Sequence, residues 1–192
     1  MKKFVLWALY ALCIVSFPAT AQGILNSHQA VDIKASIWTV WDAVKDFDGV
    51  HKWHPMFSDD VFKSGANEEI GSVRTLTVKD GPSFDEELLS FDPVDRKFSY
   101  KVIDPAPVPS RNVIMRCAGF SYTVIDSAPL PVADYVSTFQ VVEGRRGYTT
   151  ILWRGSFRNN SEGKMKDDEV IGFIDGVYRA GLDNLKAMLE AK

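Results

Sequence analysis

Cysteine is almost absent from this chain: of 192 residues, only Cys13 and Cys117 are cysteines. Cys13 lies in an N-terminal segment expected to be removed, so Cys117 stands alone and no internal disulfide is available to staple the fold. Histidine is equally scarce, with three in all. His51 and His54 are one helical turn apart, but two imidazoles do not make a metal site and His28 is distant in sequence, so no metal is expected. The chain has no C-x-x-C-H haem motif, no glycine-rich phosphate loop and no serine elbow. No cofactor is expected, and no recognisable means of carrying electrons. Clustered basic charge is missing too: 22 Lys and Arg stand against 25 Asp and Glu, a formal charge of −3. Nucleic acid, which needs a basic face, is excluded as a partner. Beyond the first residues no apolar run is long enough for a membrane span.

What is present begins at the amino terminus. Met1-Lys2-Lys3 leads into an apolar run from Phe4 to Phe17, followed by Ala19-Thr20-Ala21. A basic start, an apolar run too short for a bilayer and an A-x-A site describe a secretory signal peptide over residues 1–21, cleaved after Ala21. The mature chain, residues 22–192, would have 192 − 21 = 171 residues and a formal charge of (22 − 2) − 25 = −5. That length suits one domain with one core, exported and, in a bacterium, periplasmic.

The longest patterned stretch is the last one, Lys166 to Lys192. Val170, Ile174, Val177, Gly181, Leu185 and Met188 recur at helical spacing, flanked by Ile171, Tyr178, Leu182 and Leu189. This predicts a closing amphipathic helix. Asp168, Asp175, Arg179, Asp183, Lys186 and Glu190 are expected on its solvent face. Gly181 falls mid-stripe, where glycine costs about 1 kcal/mol relative to alanine. Either a bulky partner such as a tryptophan approaches there, or space is left for a ligand. Gly172 and Gly176 fall on the exposed face without an evident reason.

Ahead of that helix, His28–Ala35 alternates as a first strand, Ser36 is placed to cap a helix over Ile37–Phe47, and residues 48–55 make a second helical turn stopped by Pro55. Period-two alternation then predicts strands at Asp60–Lys63, Ser72–Lys79, Phe84–Phe91, Lys97–Ile103, Tyr135–Val142 and Tyr148–Phe157. Turns are expected at Lys79–Pro82, Asp92–Asp95 and Gly144–Gly147. One feature departs from this plan. The segment Phe98–Pro109 recurs as Phe120–Pro131, offset by 22 residues, with nine of twelve positions identical. Two copies are too few for a solenoid, so this is a local duplication near 105–131. It must add an even number of strands, predicting an extra hairpin from Asn112–Cys117 and Phe120–Ile125, with proline-rich loops at Pro105–Pro109 and Pro129–Pro131.

The order strand, two short helices, antiparallel strands and long terminal helix resembles the START/Bet v 1-like, or SRPBCC, superfamily, in its polyketide cyclase/dehydrase-type branch. The resemblance rests on Ala35, Val40-Trp41, Asp46-Phe47, Trp53-His54-Pro55 and Gly71-Ser72-Val73-Arg74. It continues through Glu86, Asp92, Arg96, Ser99-Tyr100, Pro131, Tyr135, Trp153 and Tyr178-Gly181-Leu182-Leu185-Lys186. It implies an α+β helix-grip fold, a curved antiparallel sheet around the long helix, with an apolar cavity between them for a small hydrophobic ligand. On that basis the ligand-binding candidates are Trp41, Trp53, Arg74, Leu76, Glu86, Leu88, Tyr100, Phe139, Trp153, Phe173, Val177 and Tyr178. Each is equally at home in an ordinary core.

Arg74 alternates with Leu76 and Val78, and Glu86 with Leu88, so adjacent strands would bring the pair together inside while Glu87 faces outward. In enzymes that this chain resembles, an arginine anchors an oxyanion and a glutamate moves protons. If the chain is a cyclase, lyase or isomerase, Arg74 and Glu86 take those roles; otherwise they form a structural ion pair. An exported member of this size is also similar to the accessory proteins of periplasmic methanol oxidation, which implies a dehydrogenase or cytochrome as partner. The acidic surface and the proline-rich flap would then be the docking elements. The leading expectation is a non-enzymatic binding protein.

Overall fold

The computed structural model describes residues 23–103, 113–117, 120–124 and 130–191, with backbone alone for the two short central pieces. The expected signal peptide, its cleavage point and the proline-rich loop Pro105–Pro109 lie outside the described residues, as does the side chain of Cys117. Among the described residues, nine strands and two α-helices follow the order β1 (Leu25–Ile33), α1 (Ile37–Val44), a 3-10 segment (Phe47–Lys52), β2 (Phe57–Ser64), β3 (Val73–Val78), β4 (Ser83–Asp92), β5 (Lys97–Ile103), β6 (Val113–Cys117), β7 (Phe120–Val124), β8 (Val132–Glu143), β9 (Thr149–Asn159) and α2 (Asp167–Glu190). Among them, no helix is long and apolar enough to cross a membrane.

Seven strands form one antiparallel sheet in the order β1-β9-β8-β5-β4-β3-β2, and β6 pairs with β7 in a separate hairpin. The hairpin expected from the duplication is therefore present, and because it contributes two strands, β5 and β8 still meet antiparallel. Bulges interrupt β2 twice, β4 between Leu88 and Ser90, and β8 between Ala133 and Val136. Each adds twist and bend, curling the sheet around α2. The turns form where expected. Asp80 adopts a left-handed φ of 58° as Gly81 N–H bonds to Val78 C=O, and Asp92 Oδ1 accepts from the backbones of Val94 and Asp95. Ser36 caps α1 by accepting from Thr39 N–H at 3.1 Å.

The face that α2 turns inward is rotated from the expected one. Val170, Phe173, Ile174, Tyr178, Gly181, Leu182, Leu185 and Leu189 are buried, whereas Met188 is 41 % exposed. The expected solvent face also meets protein. Asp175 accepts from Ser27 Oγ at 2.6 Å, Lys186 Nζ donates to Asp32 C=O at 2.6 Å, and Glu190 accepts from Lys34 N–H at 2.8 Å. Polar side chains thus moor α2 to the edge strand β1, while apolar ones fill the curve of the sheet.

Candidate functional site

The centre of the sheet's inner face is set by register. Across β4, β5, β8, β9 and β1, the directly paired residues are Leu88, Tyr100, Ser137, Gly155 and Ser27. Small residues in the middle of this row make room for Tyr178 of α2. A β-carbon at Gly155 would fall 2.2 Å from the Tyr178 hydroxyl. The Tyr178 ring stacks on Trp153 at 4.3 Å with 9° between planes. Its hydroxyl lies 2.5 Å from that of Tyr135 and 3.3 Å from Ser137 Oγ. Trp153 Nε1–H donates to both Tyr100 Oη (3.0 Å) and Ser137 Oγ (2.9 Å), and Ser137 Oγ–H donates to Arg154 C=O. Burial pushes all three tyrosine hydroxyls upward, so they remain neutral donors and acceptors.

Beside this network runs a buried ionic cluster. Arg74 and Glu86 are direct partners across β3 and β4. Arg74 Nε and Nη2 both donate to Glu86 Oε2, at 2.9 and 2.5 Å. Nη1 donates to Asp60 Oδ2 at 3.3 Å and to the Phe47 carbonyl. The guanidinium lies 4.1 Å from the ring centre of Phe47 and 5.4 Å from that of Tyr100. Two carboxylates thus share one cation. Burial opposes the charge on Arg74, but Glu86 and Asp60 outweigh it and hold the guanidinium protonated. Burial also pushes Glu86 and Asp60 above the ordinary carboxylate range, with Arg74 pulling the other way. Glu86 Oε1 accepts no hydrogen bond from the described residues. Glu87 faces outward as expected, paired with Lys101 at 2.9 Å.

A cavity of about 40 Å³ lies between these groups and α2. At roughly 10–15 Å³ per water on this measure, that is room for about three or four waters. Of the candidates named from sequence, Arg74, Leu76, Glu86, Tyr100, Trp153, Val177 and Tyr178 line it. Five do not. Trp41 packs on Phe91 and Phe98 beneath α1, and Leu88 and Phe173 are buried off the cavity wall. Trp53 and Phe139 pack with their rings tilted and 5.8 Å apart, beside a gap of only about 10 Å³. Sequence reading missed Val50, Met56, Phe57, Phe84, Val102, Leu130, Tyr135 and Ile174 in the cavity wall. For Tyr135 a signal existed, since it alternates with Ser137 and Phe139.

His54 and His51 do not come together as metal ligands, and no group of three potential ligands stands together among the described residues. His54 is buried under α2. Met56 N–H donates to its Nδ1 at 3.2 Å, so the proton sits on Nε2, 3.0 Å from Val177 C=O. Burial lowers its pKa to about 4, helped by Arg74 and opposed by the Val177 bond.

The family model for polyketide cyclase / dehydrase and lipid transport proteins matches residues 25–190. The chain belongs to this family. Its members' helix-grip architecture is the one described above, a ligand-binding fold in which the sheet and the last helix enclose the site. Solved structures agree on the fold. The protein XoxI from Bacillus cereus is 24 % identical, with a TM-score of 0.66 over 85 % of this chain and 94 % of its own. An uncharacterised protein from Bacillus thuringiensis, also 24 % identical, aligns over 86 % and 98 % at 0.67. A solution structure from Thermobifida fusca, 22 % identical, aligns over 86 % and 93 % at 0.66. No curated protein matches the sequence.

Proposed function

We propose that this member of the family is an exported, periplasmic protein that binds a small, largely apolar ligand between α2 and the sheet. The observation that carries the reading is the cavity beside Glu86: an apolar chamber into which a carboxylate and three tyrosines are built. Apolar walls with a few polar groups are what a small-molecule site needs. At about 40 Å³ the chamber must widen for any organic guest. Ile174 and Val177 of α2 and Leu130 before β8 form the wall that would give way. Native mass spectrometry of the protein, purified from periplasm without denaturation, tests this. A bound small molecule released by Leu76→Trp, which fills the chamber, is the expected result; a bare chain that takes up no small hydrophobic compound argues against it.

An accessory role in periplasmic methanol oxidation, assisting contact between a dehydrogenase and its cytochrome, is supported by resemblance at Trp53-His54-Pro55 and Tyr135–Thr138. Cross-linking the mature protein to a methanol dehydrogenase in periplasmic extract tests that role. A catalytic reading is favoured by the burial of Glu86, which pushes its carboxyl upward, and by its unengaged Oε1. In that case Glu86→Gln abolishes turnover and leaves ligand affinity within a few fold.

A further inference from the structure

Among families of small apolar molecules, the commonest polar heads are the carboxylate, the hydroxyl and the amine. The wall of this cavity treats them differently. Its one cation is already largely committed: four of the five N–H groups of Arg74 are directed at Glu86, Asp60 and the Phe47 carbonyl. The guanidinium is further enclosed by the rings of Phe47 and Tyr100. His54, buried under α2, is neutral, with both ring nitrogens engaged by Val177 C=O and Met56 N–H. What the cavity offers instead is an acceptor, Glu86, whose Oε1 takes no bond from the described residues.

We infer that the ligand carries a hydrogen-bond donor, as an alcohol or amine does, and that carboxylates such as free fatty acids are rejected. An alcohol would donate to Glu86 Oε1 and accept from the Tyr100 hydroxyl, which is itself an acceptor for Trp153. A ligand carboxylate would bring a third negative group to a cluster in which two already share one cation. In an apolar site that repulsion is not relieved by water.

The inference rests on the cavity reading above, and the experiment separates the two. Benzyl alcohol, benzylamine and benzoate share a ring and differ in the head group. They are titrated into the mature protein at pH 7.5, followed by amide chemical shifts of residues around the cavity. Alcohol and amine are expected to bind at least tenfold tighter than benzoate. In Glu86→Gln the preference for amine over benzoate collapses; in Tyr100→Phe, which keeps the charge, it persists. Should Glu86→Gln fail to fold, the wild-type order alone decides. Benzoate binding as well as or better than the other two overturns the inference while leaving the cavity reading intact. If none of the three shifts a cavity residue, both are overturned.

Discussion

A β-carbon at Gly181 would fall 2.4 Å from His54 Cδ2 and 3.1 Å from Trp53 Cζ3, so the missing side chain lets the Trp53–His54 pair lie against α2. Of the two explanations for that glycine, the close approach of a bulky partner is the one that applies, and histidine is nearer than tryptophan. The His54 ring is held at both nitrogens and cannot step aside. Gly181→Ala is therefore expected to destabilise: overpacking costs about 1–3 kcal/mol, against roughly 1 kcal/mol gained in helix propensity. A β-carbon added at Gly172 or Gly176 would meet nothing within 4 Å, so alanine at either should stabilise by about 1 kcal/mol. Urea denaturation of the three variants checks the opposite signs. His54 supplies a second residue-level prediction. Its folded pKa, about 4, lies below the ordinary 6.5, so the unfolded chain binds more protons between those values. The stability it contributes, on the order of 3 kcal/mol, is full above pH 6.5 and is lost as the pH falls towards 4. By NMR its ring signals should stay unchanged from pH 8 down to 5; a midpoint near 6.5 would contradict its burial.

At the scale of elements, alternation in sequence located every strand of the main sheet, and β5 to the residue. It mistook the ends of others. β1 starts at Leu25 rather than His28: a polar residue, Ser27, fills the buried position there and hides the alternation, yet these residues pair with β9 throughout. The inward face of α2 was legible only in part. Charge pattern marks a side chain as polar without revealing that Asp175, Lys186 and Glu190 bond to β1. The duplication was legible as an added hairpin because strand parity leaves no other regular solution. It also yields a deletion test. Between Ile103 and Val132 lie 132 − 103 − 1 = 28 residues, and removing one 22-residue repeat, residues 104–125, leaves 28 − 22 = 6. Six residues suffice for an antiparallel connection. Closing the shorter loop favours the folded state by about 1 kcal/mol. The shortened protein should melt cooperatively at or above the parent temperature by circular dichroism; a chain that no longer folds would show that the hairpin supports the sheet.

For the molecule as a whole, the site follows from what curls around what. The pairing of Arg74 with Glu86 was legible because alternation fixes which face a strand residue takes. Where along the strand the helix makes contact is not written in that alternation, so Leu88 and Phe173 went to solid core, and Phe139 to the small second gap, instead of the cavity wall. Asp60 was missed because β2 is bulged on either side of it, which breaks period two. Yet Asp60 helps Arg74 tie four segments together: β2, β3, β4 and, through the Phe47 carbonyl, the 3-10 segment. Removing that cation should be felt throughout. Arg74→Met leaves two buried carboxylates without their partner, a loss of about 3–5 kcal/mol. The loss has a pH signature. Burial already raises both carboxyl pKa values in the folded state, and without Arg74 they rise further. A carboxyl with a raised folded value contributes stability below its unfolded pKa and loses it as pH climbs through the folded one. The variant's deficit should therefore be smallest near pH 4.5 and largest at pH 8, measured as the difference in urea midpoint from the parent. Adding Glu86→Leu to Arg74→Met should recover part of the deficit at pH 8 and little at pH 4.5. A deficit equal at both would assign the loss to the guanidinium's packing on Phe47 and Tyr100, and charge would cease to be what organises this interior.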